Sequence, residues 1–92
     1  MNTVGSSGEV LERSANGRTL ADLRPGEKGY VGGIESSISL KRRLSAMGVV
    51  SGVEVSLEHT APMGDPRVYT ILGYNLSLRN EDARKVMLKA ED

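Results

Sequence analysis

The sequence contains no cysteine, no tryptophan and no phenylalanine, and its three aromatic residues are all tyrosine. Without cysteine there is no disulfide, no thiolate metal site, no cysteine nucleophile and no thiol redox switch. Small secreted domains usually depend on disulfides, so this absence favours the cytosol. No apolar run approaches the roughly 20 residues that a membrane-spanning helix needs. The N-terminus also lacks the basic start and apolar stretch of a secretory signal. Neither secretion nor direct membrane insertion is expected, and the expected location is cytoplasmic. An excess of charge is missing as well, since 12 basic and 12 acidic residues cancel. The chain therefore exerts no overall pull on nucleic acid or anionic lipid. Aromatic platforms for stacking bases are scarce, so no nucleic-acid partner is expected.

Catalytic signatures are absent too. No serine sits in a nucleophile elbow or beside a base. Gly29, Gly32 and Gly33 are wrongly spaced for a phosphate loop or a dinucleotide fingerprint. The carboxylates are scattered, with no pair spaced for acid–base work. His59 is the lone histidine. It falls in the inward register of a strand and is expected to be partly buried with hydrogen-bond partners. No second ligand lies near it at metal-binding spacing. No enzyme activity, cofactor or dedicated metal site is expected.

What the chain does have is glycine, 11 in 92 residues. So many glycines indicate short strands and tight corners in a single small domain. Residues 1–16, with the linker-like Gly5-Ser6-Ser7-Gly8, read as a disordered leader, and residues 17–92 as the domain. Thr19 and Asp22 form a capping-box pattern that places Leu20 and Leu23 on one face of a helical turn. Pro25-Gly26 closes it. A strand follows over Glu27 to Ile34, with Gly32-Gly33 suggesting a bulge. Ser39 to Gly48 reads as a helix. Ser39 is its N-cap, Leu40, Leu44 and Met47 form one apolar stripe, and Gly48 is the left-handed stop residue. Val49 is then expected to complete a Schellman motif against Leu44.

Val53, Val55 and Leu57 alternate with polar residues as a second strand. Arg67 to Leu72 is a third, and Tyr74, Leu76 and Leu78 form the apolar face of a fourth. Asn80 is expected to cap a short helical turn, and Val86, Leu88 and Ala90 alternate as a fifth strand. The sum is a mainly β fold, a small five-stranded closed or half-closed barrel with one α-helix and one or two short helical turns.

Two features suit binding. Ala61-Pro62-Met63-Gly64-Asp65-Pro66 joins two strands through a stiff, shaped loop that carries an apolar side chain. Methionine suits an adaptable contact surface. The sequence leaves open whether Met63 projects outward or turns inward to close the barrel. Lys41-Arg42-Arg43 is the only concentrated basic run. In the first turn of its helix it would oppose the helix dipole, so it is either a solvated face or a contact for an acidic partner. Lys41, Arg42, Arg43, Met47, Met63, Gly64 and Asp65 are the candidate partner-contact residues.

The ordered series Leu23-Arg24-Pro25-Gly26-Glu27, Arg43-Leu44 through Gly48-Val49 and Gly52, Ala61 to Pro66, Gly73-Tyr74, Leu78-Arg79 and Ala83 resembles the FeoA family. The resemblance runs from about Arg18 to Lys89. It implies an SH3-like barrel and a cytosolic accessory role in ferrous-iron transport. The implied partner is the cytoplasmic part of the FeoB membrane transporter. Related SH3-like domains end metal-dependent repressors. The alternative is therefore a metal-responsive regulatory module that binds a metalloregulator or a transition metal directly. Exposed apolar loops on such a barrel also allow self-association.

Overall fold

The computed structural model describes residues 17–90, so the leader expected over 1–16 lies outside the described residues. Five antiparallel strands form one sheet: β1 (Lys28–Ile34), β2 (Glu54–Thr60), β3 (Arg67–Ile71), β4 (Tyr74–Leu78) and β5 (Val86–Leu88). Their spatial order is β4-β3-β2-β1-β5. The five expected strands are all present, but the sheet does not close by pairing β4 with β5. Two helices, α1 (Ile38–Ala46) and α2 (Asn80–Ala83), and a 3-10 turn at Leu20–Asp22 complete the fold.

The buried hydrophobic residues form one core cluster. It contains Leu20 and Leu23 from the 3-10 turn region, Leu40 and Leu44 from α1, Val49, and the inward residues of every strand. The capping box forms as the sequence indicates. The Ala21 N–H donates to Thr19 Oγ1 (3.2 Å), and the Thr19 N–H donates to Asp22 Oδ2 (2.8 Å). The turn is anchored from far along the chain. Tyr69, fully buried, donates its hydroxyl to the Leu20 carbonyl at 2.8 Å. Arg67 donates to both the Tyr69 hydroxyl and the Leu23 carbonyl. Burial pushes the Tyr69 hydroxyl above its ordinary pKa, against the opposing pull of the Arg67 guanidinium. An isolated bridge between Thr19 and Met87, with Leu88 N–H donating to the Arg18 carbonyl at 2.9 Å, ties the turn to β5.

The α1 stop is the Schellman motif read from the sequence. Gly48, at φ +94°, donates to the Ser45 carbonyl (3.0 Å), and Val49 donates to the Leu44 carbonyl (2.9 Å). Both Leu44 and Val49 are fully buried. The α1 start differs from expectation. Ser37, not Ser39, is the N-cap, and its Oγ accepts from the Leu40 N–H at 3.3 Å. Either serine satisfies the capping preference, and the helix takes the earlier one, which adds two residues at its start. The basic run thereby lies farther along the helix, and Arg43 falls in the last turn, where the dipole favours a cation.

Three register expectations fail for local reasons. His59 is exposed, because the β2–β3 register shifts between Leu57 and His59 and turns the strand's end outward. Tyr74 is exposed beside the hairpin turn, whereas Leu76 and Leu78 are buried as expected. Ala90 lies exposed beyond β5. The Gly32-Gly33 bulge is present, with the β1–β5 register shifting between Val31 and Gly33.

Candidate functional site

The loop between β2 and β3 folds on itself. Gly64 N–H donates to the Ala61 carbonyl (2.7 Å), and Ala61 N–H donates to the Pro66 carbonyl (2.9 Å). Pro62 occupies the second position of that first turn, where its fixed φ is favoured. The Asp65–Pro66 peptide is cis. Met63 stands at the apex with 92% of its surface exposed. It therefore projects outward and takes no part in closing the core.

The loop is fastened to α2 by two hydrogen bonds. Asp65 Oδ1 accepts the Asn80 N–H at 3.0 Å, and Asn80 Nδ2 donates to the Gly64 carbonyl at 3.0 Å. Asn80 is not the cap that its type suggested; Arg79 holds that position without a side-chain bond. Asp65 instead brings its carboxylate to the first N–H of α2 from fifteen residues upstream, meeting an orphan donor at the positive end of the helix. On its other flank, α2 meets α1 through the Arg43–Asp82 pair at 3.2 Å. The two candidate groups, the basic run and the loop, are thus linked through four-residue α2.

Within the basic run the three side chains diverge in role. Arg43 is committed to Asp82. Lys41 and Arg42 are exposed and form no ion pair among the described residues. Lys41 also borders an open depression of about 610 Å³ beside the Gly32-Gly33 bulge. Met47 is half-buried at the other end of α1, where its carbonyl accepts the Tyr74 hydroxyl.

Sequence reasoning gave Asn80, Asp82, Leu72 and Tyr74 no place among the candidate contact residues. The first two depend on tertiary neighbours that no local spacing announces. Leu72-Gly73 carried a signal, since two residues between alternating strands mark a hairpin turn. Ile71 pairs with Tyr74, and Leu72 and Gly73 have φ of +52° and +83°, the signs of a type I′ turn. Asn or Gly is usual at the first of these positions, and here it is leucine. Its side chain is 65% exposed and lies over Gly48, where an added Cβ would stand 2.4 Å from Leu72 Cδ1.

Among the described residues, no group of three or more histidine or acidic side chains is gathered to hold a metal ion. No helix among them is long and apolar enough to cross a membrane.

The FeoA domain family model matches residues 18–90. A fusion of Fe(2+) transport protein A with the Fe(2+) transporter FeoB from Porphyromonas gingivalis is 36% identical over 67 residues. That match takes in 73% of this chain but only 8% of the fusion protein's length. The solution structure of iron(II) transport protein A from Clostridium thermocellum aligns at a TM-score of 0.75 and 33% identity, covering 79% of this chain and 45% of that one. The crystal structure of Stenotrophomonas maltophilia FeoA complexed with zinc, described as an SH3 domain protein, aligns at 0.70 and 25% identity. It covers 78% of this chain and 89% of that one. A manganese-dependent transcriptional repressor shares the fold alone, at 16% identity and a TM-score of 0.71 over 80% of this chain and 41% of its own.

Proposed function

The chain belongs to the FeoA family, and from that we propose that it serves ferrous-iron transport by binding the cytoplasmic part of a FeoB-type membrane transporter. The observation that carries this reading is the Porphyromonas gingivalis fusion, in which a relative of this chain and FeoB share one polypeptide. Covalent linkage supplies a high effective concentration, which suits two parts that work in contact. The role is that of an accessory binding domain in the cytoplasm, with residues 17–92 as its folded unit, and not that of an enzyme.

Lys41, Arg42, Met47, Met63, Gly64 and Asp65 form the proposed contact surface, with Arg43 bracing it through Asp82. Met63 supplies an apolar anchor on a loop whose conformation is already fixed by four hydrogen bonds. Such preorganisation lowers the entropy lost on binding. Lys41 and Arg42 favour an acidic patch on the partner.

The test is a titration of the chain against intact FeoB-type transporter and against its cytosolic domain, with and without bound guanine nucleotide. Binding in at least one state is expected; no binding in any would sink the reading. Met63→Ala should leave the melting temperature within about 1 °C, since so exposed a side chain contributes little to the core. The same change should weaken binding severalfold. Equal affinity for the variant would remove Met63 from the interface.

A further inference from the structure

We infer that Leu72 at the β3–β4 hairpin, together with Val50 and Tyr74, is a second apolar contact for the same transporter partner. The inference rests on the FeoB reading and extends it to residues at the far end of α1. Leu72 sits in the left-handed region at φ +52°, where a side chain with a Cβ is strained. A two-residue type I′ turn takes asparagine, aspartate or glycine there at lower cost. The leucine is not repaid by burial, because most of its surface faces solvent. Neither the turn nor the core explains it. A residue that opposes local preference without stabilising packing is the mark of a site kept for contact.

What surrounds Leu72 points to the occupant. Val50 and Tyr74 are also exposed, and Val50 lies two residues beyond Gly48, over which Leu72 sits. The Tyr74 hydroxyl bonds the Met47 carbonyl. The patch is therefore continuous with Met47, one of the proposed transporter contacts. It carries no charged side chain of its own. Beyond Leu72 runs a shallow groove lined by Val53, Glu54, Ser56 and Thr70. A matching partner surface would offer an apolar side chain to Leu72, Val50 and Tyr74. Donor-bearing groups would meet Glu54, Ser56 and Thr70 at the rim.

The decisive variant is Leu72→Asn in the full chain, measured by thermal melting and by titration against intact FeoB-type transporter. The substitution relieves the turn, so the melting temperature should rise by about 2–6 °C. Binding should weaken by about tenfold or more. Leu72→Gly should show the same loss of binding, separating the lost side chain from any property of asparagine. A lower melting temperature for Leu72→Asn would show that the leucine serves the fold and overturn the inference. Unchanged affinity would overturn it too, while leaving the FeoB reading intact. Failure of the unaltered chain to bind removes both.

Discussion

Leu44 and Tyr69 show how single residues divide the work of this fold. Leu44 is fully buried on α1 and also supplies the carbonyl that closes the Schellman motif. Leu44→Ala should cost about 2–5 kcal/mol, and chemical denaturation should measure it directly. Tyr69 contributes a pH dependence. Burial raises its pKa from the ordinary value near 10, so the folded state holds that proton more tightly than the unfolded chain. The stability from this group is complete below the unfolded value and is lost as pH rises through the folded one. The melting temperature should therefore fall above about pH 10. Tyr69→Phe should start lower, because the Leu20 carbonyl loses its donor, yet lack this alkaline component. Parallel declines in the two proteins would contradict the assignment. Leu44 was legible from an i, i+4 stripe. The bonds of Tyr69 were not, because Leu20 lies 49 positions away. His59 was misread because alternation assumes an unbroken ladder, and a register shift after Leu57 breaks it.

At the scale of elements, helix ends were clearer than helix starts. Gly48 and Val49 satisfy the α1 C-terminus jointly, so two neighbouring residues encode one stop. Gly48→Ala should destabilise by about 1–2 kcal/mol from its left-handed φ alone. It should also displace Leu72, which would appear as chemical-shift changes at Leu72 and Gly73. At the start of α1, Ser37 and Ser39 are equivalent in propensity, and local preference does not distinguish the cap that forms, Ser37, from the other. The loop from Ala61 to Pro66 was recognisable as stiff, but its fastening was not. Asn80 reads as a local cap, whereas its side chain reaches back to Gly64. Asn80→Ala should cost about 0.5–1.5 kcal/mol for the lost hydrogen bond. It should also lower the backbone order parameters of Met63 and Gly64. Unchanged order parameters would mean that the loop's own turns are sufficient to hold it.

For the whole molecule, the mainly β architecture followed from glycine corners and alternating runs, and its five strands were found in their expected segments. The open edge of the sheet was not legible, since closure depends on strand tilt and stagger rather than on composition. One core is shared by the 3-10 turn, α1 and all five strands. Unfolding should accordingly be a single cooperative step, with tyrosine fluorescence and far-ultraviolet dichroism giving coincident transitions. Separated transitions would divide the core into independent units. The bridge from Thr19 to Met87 has a geometric consequence as well. It brings the two ends of the described fold together at one edge of the sheet, so chain entering and chain leaving pass through a common point. A circular permutant that joins these ends by a short linker and opens the backbone at Met63 should still fold. It would convert the proposed contact loop into a pair of termini, separating the demands of the fold from those of the proposed contact.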